Sequence, residues 1–493
     1  MRINIEASDR ICGNKYFPLV FVALAFLVVL LFSYATSPIY GIELCDSAVF
    51  KTMGHVLLNG GVPYVDYFDH KGPYLYLINA VGESLSPTWG LFLLQTTWLS
   101  VSLTLWFKTA RLFVRPTYSL LILLFTTIIF IGVYDYGNLS EEWSLLPSSL
   151  CLYLAVSFLV KHPHERHQYW RSLVYGLCFG MVFLIRPNDA VMICGGVMTG
   201  IFLYIIFRQK QYINALVNTL AFFAGAIIMA APWIAYFAYH HALGDLYFGL
   251  IGFNLSYSEG IISNLLNIWK IKAIVLLGAV LIIMEISGNK KELLWISVPI
   301  GIYILLFFGR RIYPHYFMTI VPCIFLLYFI LLYCTKNKTL MIAAVVLLML
   351  SHYPNYGLRE LNDMSKPILM GKIGDQFNDV KSEFREIRDL MSFVPKEDRD
   401  SIWNYGDNFS SNFLQCGIFA QNPVPPIIAY HSNNFPEDRQ GIIDISRHKP
   451  LWVFRKSHSP YVFPSDSAFI AEHYSIVKQS ASTKYLLLKR KNK

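Results

Sequence analysis

The stretch Gly41–Pro73, GIELCDSAVFKTMGHVLLNGGVPYVDYFDHKGP, decides how the chain is read. It follows directly on the apolar run 16–35, which is long enough to cross a bilayer, since about 20 residues span roughly 30 Å of hydrocarbon. It carries Glu43, Asp46, Asp66 and Asp69, ends in Asp69-His70-Lys71-Gly72-Pro73, and holds enough Gly and Pro to fix a loop. A carboxylate-rich, structured loop on the first membrane exit points to chemistry at a membrane surface.

The rest of the chain agrees. Of 493 residues 55% are hydrophobic and 15% charged, against about 25% charged in an ordinary soluble protein. Apolar runs recur at 16–35, 90–107, 117–134, 143–160, 172–185, 190–207, 213–239, 271–286, 292–308, 316–334 and 339–353. The expected fold class is therefore an α-helical polytopic membrane protein of about 11 spans. Residues 74–82 are too short to cross and read as a re-entrant or interfacial piece. The formal charge of +9 lies in short basic clusters between apolar runs, the signature of membrane topology and not of a nucleic-acid surface.

Lysine and arginine set the orientation. The N-terminus has Arg2, Arg10 and Lys15, and alternate connections carry Lys108/Arg111/Arg115, Lys161/Arg166/Arg171, Arg208/Lys210, Lys290/Lys291 and Lys336/Lys338. These face the cytoplasm. The 41–89 loop and the connections at 135–142, 186–189, 240–270 and 309–315 emerge on the opposite face. The apolar run at the N-terminus exceeds the h-region of a typical signal peptide, which favours an uncleaved first span.

After residue 353 the character changes. Residues 379–393 have amphipathic helical spacing, and 401–405, 451–455 and 484–488 read as strands between Pro- and Gly-rich turns. The expected organisation is a membrane domain, 1–353, and a small α/β domain, 354–493, on the outer face. The eight cysteines show no metal-ligand spacing. Five fall in apolar runs as small hydrophobes, and Cys45 and Cys416 share the outer face, which leaves a disulfide open.

The outer connections hold nearly all the residues suited to chemistry. They are Glu43, Asp46, Asp69, His70 and Lys71; Asn138, Glu141 and Glu142; Arg186 and Asn188; and Arg310, Arg311, His315 and Tyr316. Each has a plainer reading. Glu141 and Glu142 suit a helix start, the arginines suit interfacial anchors, Asp46 an N-cap, Lys71-Gly72-Pro73 a turn, and His315 a structural histidine. Tyr64, Tyr67, Tyr74, Tyr76, Trp89 and Trp143 read as an interfacial belt, with stacking on sugars as the alternative. Convergence of acids and bases on one face favours a site.

These residues resemble the GT-C superfamily of polytopic glycosyltransferases, which includes protein O-mannosyltransferases and the aminoarabinose transferases of lipid A. The likeness rests on Asp46 soon after the first span, on Gly61-Val62-Pro63-Tyr64, and on Lys71-Gly72-Pro73 before the re-entrant piece. The 138–142 stretch, Arg186-Pro187-Asn188 and His315-Tyr316 are similar to later motifs. It covers roughly 16–350. The resemblance implies transfer of a sugar from a polyprenyl-phosphate carrier to a glycan, lipid or protein acceptor at the outer face of a bacterial inner membrane, with no nucleic acid involved.

On that reading a carboxylate takes the acceptor's proton in a single displacement. Asp46 is the first candidate, with Glu141 and Glu142 as others. Lys71, Arg186, Arg310 and Arg311 would bind the donor phosphate. Glu43, Asp69, His70, Asn138, Asn188, His315 and Tyr316 would contact substrate. No Asp-x-Asp stands in the first loop, so no cofactor is certain and a divalent metal stays open. The alternatives are a transporter or flippase, or a polymerase or ligase of lipid-linked saccharides. Transporters usually place ionisable groups within spans and repeat internally, and neither feature is visible here.

Overall fold

Several of the described helices begin at a proline and run on through apolar residues. A computed structural model describes residues 17–257, 291–307, 313–323, 365–406, 443–457 and 464–491, with a few single positions between them. Pro18, Pro73, Pro116 and Pro187 each open a helix, the position where a missing N–H costs nothing. The membrane part comprises α1 (Pro18–Phe32), α2 (Cys45–Leu58), α3 (Pro73–Leu85), α4 (Gly90–Ala110), α5 (Pro116–Ile131), α6 (Ser140–Lys161), α7 (Tyr169–Phe183), α8 (Pro187–Arg208), α9 (Tyr212–Tyr239), α10 (Leu243–Leu255) and α11 (Leu294–Phe307). Among the described residues α4, α6, α8 and α9 are long and apolar enough to cross a membrane. The spans expected at 271–286 and 339–353 lie outside the described residues.

Two helices were not anticipated. The 41–89 connection contains α2 as well as the expected short helix α3, and the 240–270 connection contains α10. α2 buries Val49, Phe50 and Met53 with Leu75 and Tyr76 of α3 in one apolar cluster, so the first outer loop is a packed helical pair. α7 and α9 pack closely. A Cβ on Gly176 would stand 1.9 Å from the Phe222 carbonyl oxygen and one on Gly225 2.2 Å from that of Leu173, the small-residue contact that lets membrane helices approach. The opposite side of α9 exposes Ile213, Leu216, Leu220, Ile227 and Ile228, as a lipid-facing helix does.

The C-terminal part is built on α12 (Asn378–Met391) and four strands, β1 (Ile402–Tyr405), β2 (Trp452–Lys456), β3 (Tyr474–Gln479) and β4 (Tyr485–Arg490). The sheet order is β1-β2-β4-β3. β1 and β2 are parallel, with Trp403 opposite Val453, while β2–β4 and β4–β3 are antiparallel. The helix and three of the strands fall where the sequence placed them, and β3 and the helix Pro464–His473 before it were not foreseen. α12 closes one face of the sheet with Ile387 and Leu390 against Ile402, Phe454 and Leu487. Just before α12, Phe377 packs its ring 4.9 Å from Tyr34 and 5.6 Å from Tyr40, in the connection that leaves α1.

Candidate active site

Four connections meet at one end of the helical bundle, and backbone hydrogen bonds join two of them. The amide of Gly72 donates to the carbonyl of Ile185 at 2.9 Å and that of Tyr74 to Leu184 at 3.0 Å. A Cβ at position 72 would lie 2.1 Å from the Leu184 oxygen, so only glycine permits this approach. The join brings Lys71 beside Arg186. The carbonyl of Lys71 accepts from the Tyr64 hydroxyl at 2.6 Å and from that of Tyr76 at 2.7 Å. Tyr64 itself sits at φ 69°, a conformation that costs a bulky residue energy and is kept where the surroundings enforce it.

Asp69, His70 and Lys71 form a chain of contacts. Asp69 Oδ1 lies 3.3 Å from His70 Nδ1, and His70 Nε2 lies 2.9 Å from Lys71 Nζ. Burial and the Lys71 charge push the His70 pKa down despite Asp69. Burial opposes ionisation of Asp69, but the hydrogen bond from His70 and the charges of His70 and Lys71 hold its carboxyl below the usual range. A neutral imidazole with its proton on Nδ1 suits both contacts, accepting from the ammonium at Nε2 and turning its N–H toward Asp69. Asn254 of α10 donates to the His70 carbonyl at 2.8 Å, and the His70 ring lies 5.4 Å from that of Phe253.

Asp46 sits in the first turn of α2 and keeps some exposure. Crowding by the protein pushes its pKa above the ordinary carboxylate range. The charges of His315 and Lys71 work against that shift, and those of Asp69 and Glu141 add to it. His315 Nδ1 lies 2.8 Å from Asp135 Oδ2. Burial would lower its pKa, but the Glu141 charge and the Asp135 contact outweigh burial and raise it.

Glu141 and Glu142 are neighbours with opposite surroundings. Glu141 Oε1 meets Arg186 Nη1 at 2.5 Å, and the same Nη1 lies 3.2 Å from Asp189 Oδ1. The guanidinium also lies 4.2 Å over the Tyr316 ring. Arg186 is thus held between two carboxylates and an aromatic face. Glu142 turns into the bundle, where it accepts from Gln95 Nε2 at 2.7 Å, from the Asn138 amide at 2.9 Å and from the Tyr134 hydroxyl. Asn138, at φ 55°, donates to Ser47 and Asn79 and accepts from Trp143 Nε1, each at 2.9 Å.

The structure therefore brings Asp46, Asp69, His70, Lys71, Glu141, Arg186, His315 and Tyr316 into one electrostatic neighbourhood. Glu142 and Asn138 belong to a buried network beneath it. Glu43 stands apart, paired with Lys51 at 2.7 Å, and Asn188 is exposed at the start of α8. Arg310 and Arg311 lie outside the described residues. The belt reading fails for Tyr64, Tyr76 and Trp143. All three are buried, and their polar atoms bond to protein. Asp135, Asp189 and Asn254 were missed. Asp135 and Asp189 lie in connections already marked as outer, yet only the fold shows which bases they face. Among the described residues no three His, Cys, Asp or Glu side chains gather as a metal site. These carboxylates face Arg186, His70 and His315 instead.

No family model matches the chain, and no curated protein matches it in sequence. Solved structures do match in three dimensions. ArnT from Cupriavidus metallidurans bound to undecaprenyl phosphate superposes with a TM-score of 0.61 at 11% identity, covering 96% of this chain and 98% of that one. The fold is that of the ArnT structure. The same ArnT in the apo state gives 0.58 at 12% identity over 95% and 97%. The apo oligosaccharyltransferase of Archaeoglobus fulgidus is a weaker likeness, 0.49 at 12% over 90% and 70%. The likeness to ArnT covers the C-terminal sheet as well as the membrane helices.

Proposed function

We propose that this protein is a membrane glycosyltransferase that moves a sugar from a polyprenyl-phosphate carrier to an acceptor hydroxyl. The observation that carries the reading is the meeting of Asp46, Lys71, Glu141, Arg186 and His315 from four separate connections at one end of a GT-C bundle. The fold neighbour that holds undecaprenyl phosphate supports the carrier class. We place the site on the outer face of the membrane, with the N-terminus cytoplasmic and residues 354–493 as a separate outer domain.

The reaction is a single displacement. The acceptor oxygen attacks the anomeric carbon, the carbon–oxygen bond to phosphate breaks, and polyprenyl phosphate leaves with the bonding pair. Asp46 takes the acceptor proton, which suits its raised pKa, since a base works best with a pKa near the operating pH. Lys71 offers its ammonium to the leaving phosphate, where negative charge develops. His70 aims that ammonium by accepting one of its protons, and Asp69 fixes the imidazole tautomer.

Arg186 takes a different part from the one its sequence position suggests. With two carboxylates on it, the guanidinium orients Glu141 toward the acceptor side. Direct phosphate contact falls to Lys71, with Arg310 and Arg311 as further cations. Glu142 and Asn138 are supporting residues.

The test is transfer of radiolabelled sugar from a series of synthetic polyprenyl-phosphate sugars by purified protein in lipid, beside mass spectrometry of surface glycans and lipids from a deletion strain. Asp46→Asn should cut transfer by about 10²–10⁴ while the protein stays folded. Near-normal turnover of Asp46→Asn moves the base elsewhere. A deletion strain with unchanged glycans and lipids removes the reading.

A further inference from the structure

An exposed apolar turn lies outside the helical bundle. The stretch Lys366-Pro367-Ile368-Leu369-Met370-Gly371-Lys372-Ile373 makes one short helical turn and a tight reversal. The Met370 amide donates to the Lys366 carbonyl at 3.0 Å, that of Gly371 to Ile368 at 3.1 Å and that of Lys372 to Pro367 at 2.7 Å. Gly371 has φ 67° and nothing within 4 Å of where its Cβ would stand. The turn lifts an apolar tip clear of the protein. Leu369 is 84% exposed, Met370 58% and Ile373 45%, and Lys366 and Lys372 are exposed beside them.

Its place in the fold says what covers it. Four residues beyond Ile373, Phe377 packs on Tyr34 and Tyr40. Tyr34 follows the end of α1 by two residues, and Tyr40 returns its hydroxyl to the Leu31 carbonyl at 2.6 Å. The tip is therefore tethered beside the C-terminal end of α1, where the first span expected from the sequence leaves the hydrocarbon. Ile39, also exposed, lies next to Tyr40. Apolar residues flanked by lysines at that level have the composition of an interfacial anchor, with side chains in the upper acyl region and ammonium groups among lipid phosphates.

We infer that the turn of residues 366–373 inserts into the leaflet at the outer end of α1 and fixes the C-terminal sheet at the bilayer surface. The inference requires only that α1 spans the membrane, and it is independent of which sugar, if any, is transferred. The anchor sets the height of the sheet over the bundle end where Asp46 and Lys71 lie.

Single cysteines placed at Leu369, Met370 and Ile373, labelled with an environment-sensitive fluorophore in nanodiscs, test it against lipids spin-labelled near the headgroup or deep in the chain. Leu27→Cys on α1 serves as the deep control and Lys396→Cys as the aqueous one. Protein without an added cysteine corrects for native thiols. The three tip positions should be blue-shifted and quenched by the shallow label at least several-fold more than position 396, and position 27 by the deep label. Quenching at the tip no greater than at 396 overturns the inference. A blue shift without quenching by either lipid label also overturns it, because the tip is then covered by protein.

Discussion

At the scale of single residues, the site is a set of charges that tune one another. Asp46 has its pKa raised by burial, and His315 has its pKa raised by Glu141 and Asp135. Asp46 must be ionised to accept a proton, so transfer should rise with pH through a pKa above the ordinary carboxylate range. A histidine with a raised pKa contributes fully below its ordinary value, about 6.5, and loses that contribution as pH climbs through the folded value. With the His315 imidazolium taken as a further positive charge facing Asp46 and Glu141, the predicted profile is bell-shaped, with its alkaline limb set by His315. Asp135→Asn removes a hydrogen-bonded charge that favours the imidazolium, so the alkaline limb should move to lower pH while the acid limb stays. A pH–rate series on both proteins checks this, and an unmoved alkaline limb would assign that limb to another group. Asp46, Lys71, Arg186 and His315 were legible as candidates because each stands in an outer connection between apolar runs. Their partners were not: Asp135 pairs with His315 across 180 residues and leaves no mark in local sequence, and Asp189, three residues beyond Arg186, reads as a plain helix-start acid until the fold turns it back on the guanidinium. Arg186 is the clearest instance, since neither Glu141 nor Asp189 beside its guanidinium could be read as its partner from the sequence.

At the scale of elements, the apolar spans were readable because length and hydropathy alone define them. The pair α2–α3 was only half readable. α2 alternates buried residues such as Val49, Phe50 and Met53 with Lys51 and His55, which reads as a polar loop unless its packing partner is known. α10 was hidden for a related reason, being too short to span. What these elements do for the site is hold backbone. Gly72→Ala should force the Lys71 turn off Leu184, and since a shift of about 1 Å can cost on the order of 10²-fold, transfer should fall by roughly that factor with membrane insertion unchanged. Near-wild-type kinetics would mean that the turn can yield. Glu142→Ala should act differently. It leaves the Tyr134 hydroxyl, the Gln95 amide and the Asn138 N–H without their acceptor, at about 1–3 kcal/mol for each buried donor left unpaired. A lowered unfolding midpoint in detergent is the expected result, and activity lost without any drop in stability would return Glu142 to the chemistry.

At the scale of the whole molecule, the bundle and the sheet agree with the sequence in kind, and the sheet gained an edge strand, β3, whose Ile476 and Val477 face outward and gave no clean alternation to read. Orientation remains an expectation from the basic connections. A periplasm-active reporter fused after residue 493 should give signal and one placed in the 161–171 connection should not, and the reverse pattern would put the site on the cytoplasmic side. The hydrogen bonds from Gly72 and Tyr74 to Ile185 and Leu184 also bear on how the protein is made. The two halves of that join leave the ribosome roughly a hundred residues apart, which is about 5–20 s of synthesis at roughly 5–20 residues per second. His315 follows later still. The Lys71 turn therefore reaches its side of the membrane with no docking partner, and waits there through the insertion of α4 to α7. Its geometry is a product of late assembly, so a ribosome stalled before residue 184 would display a loop open to protease that the finished protein conceals.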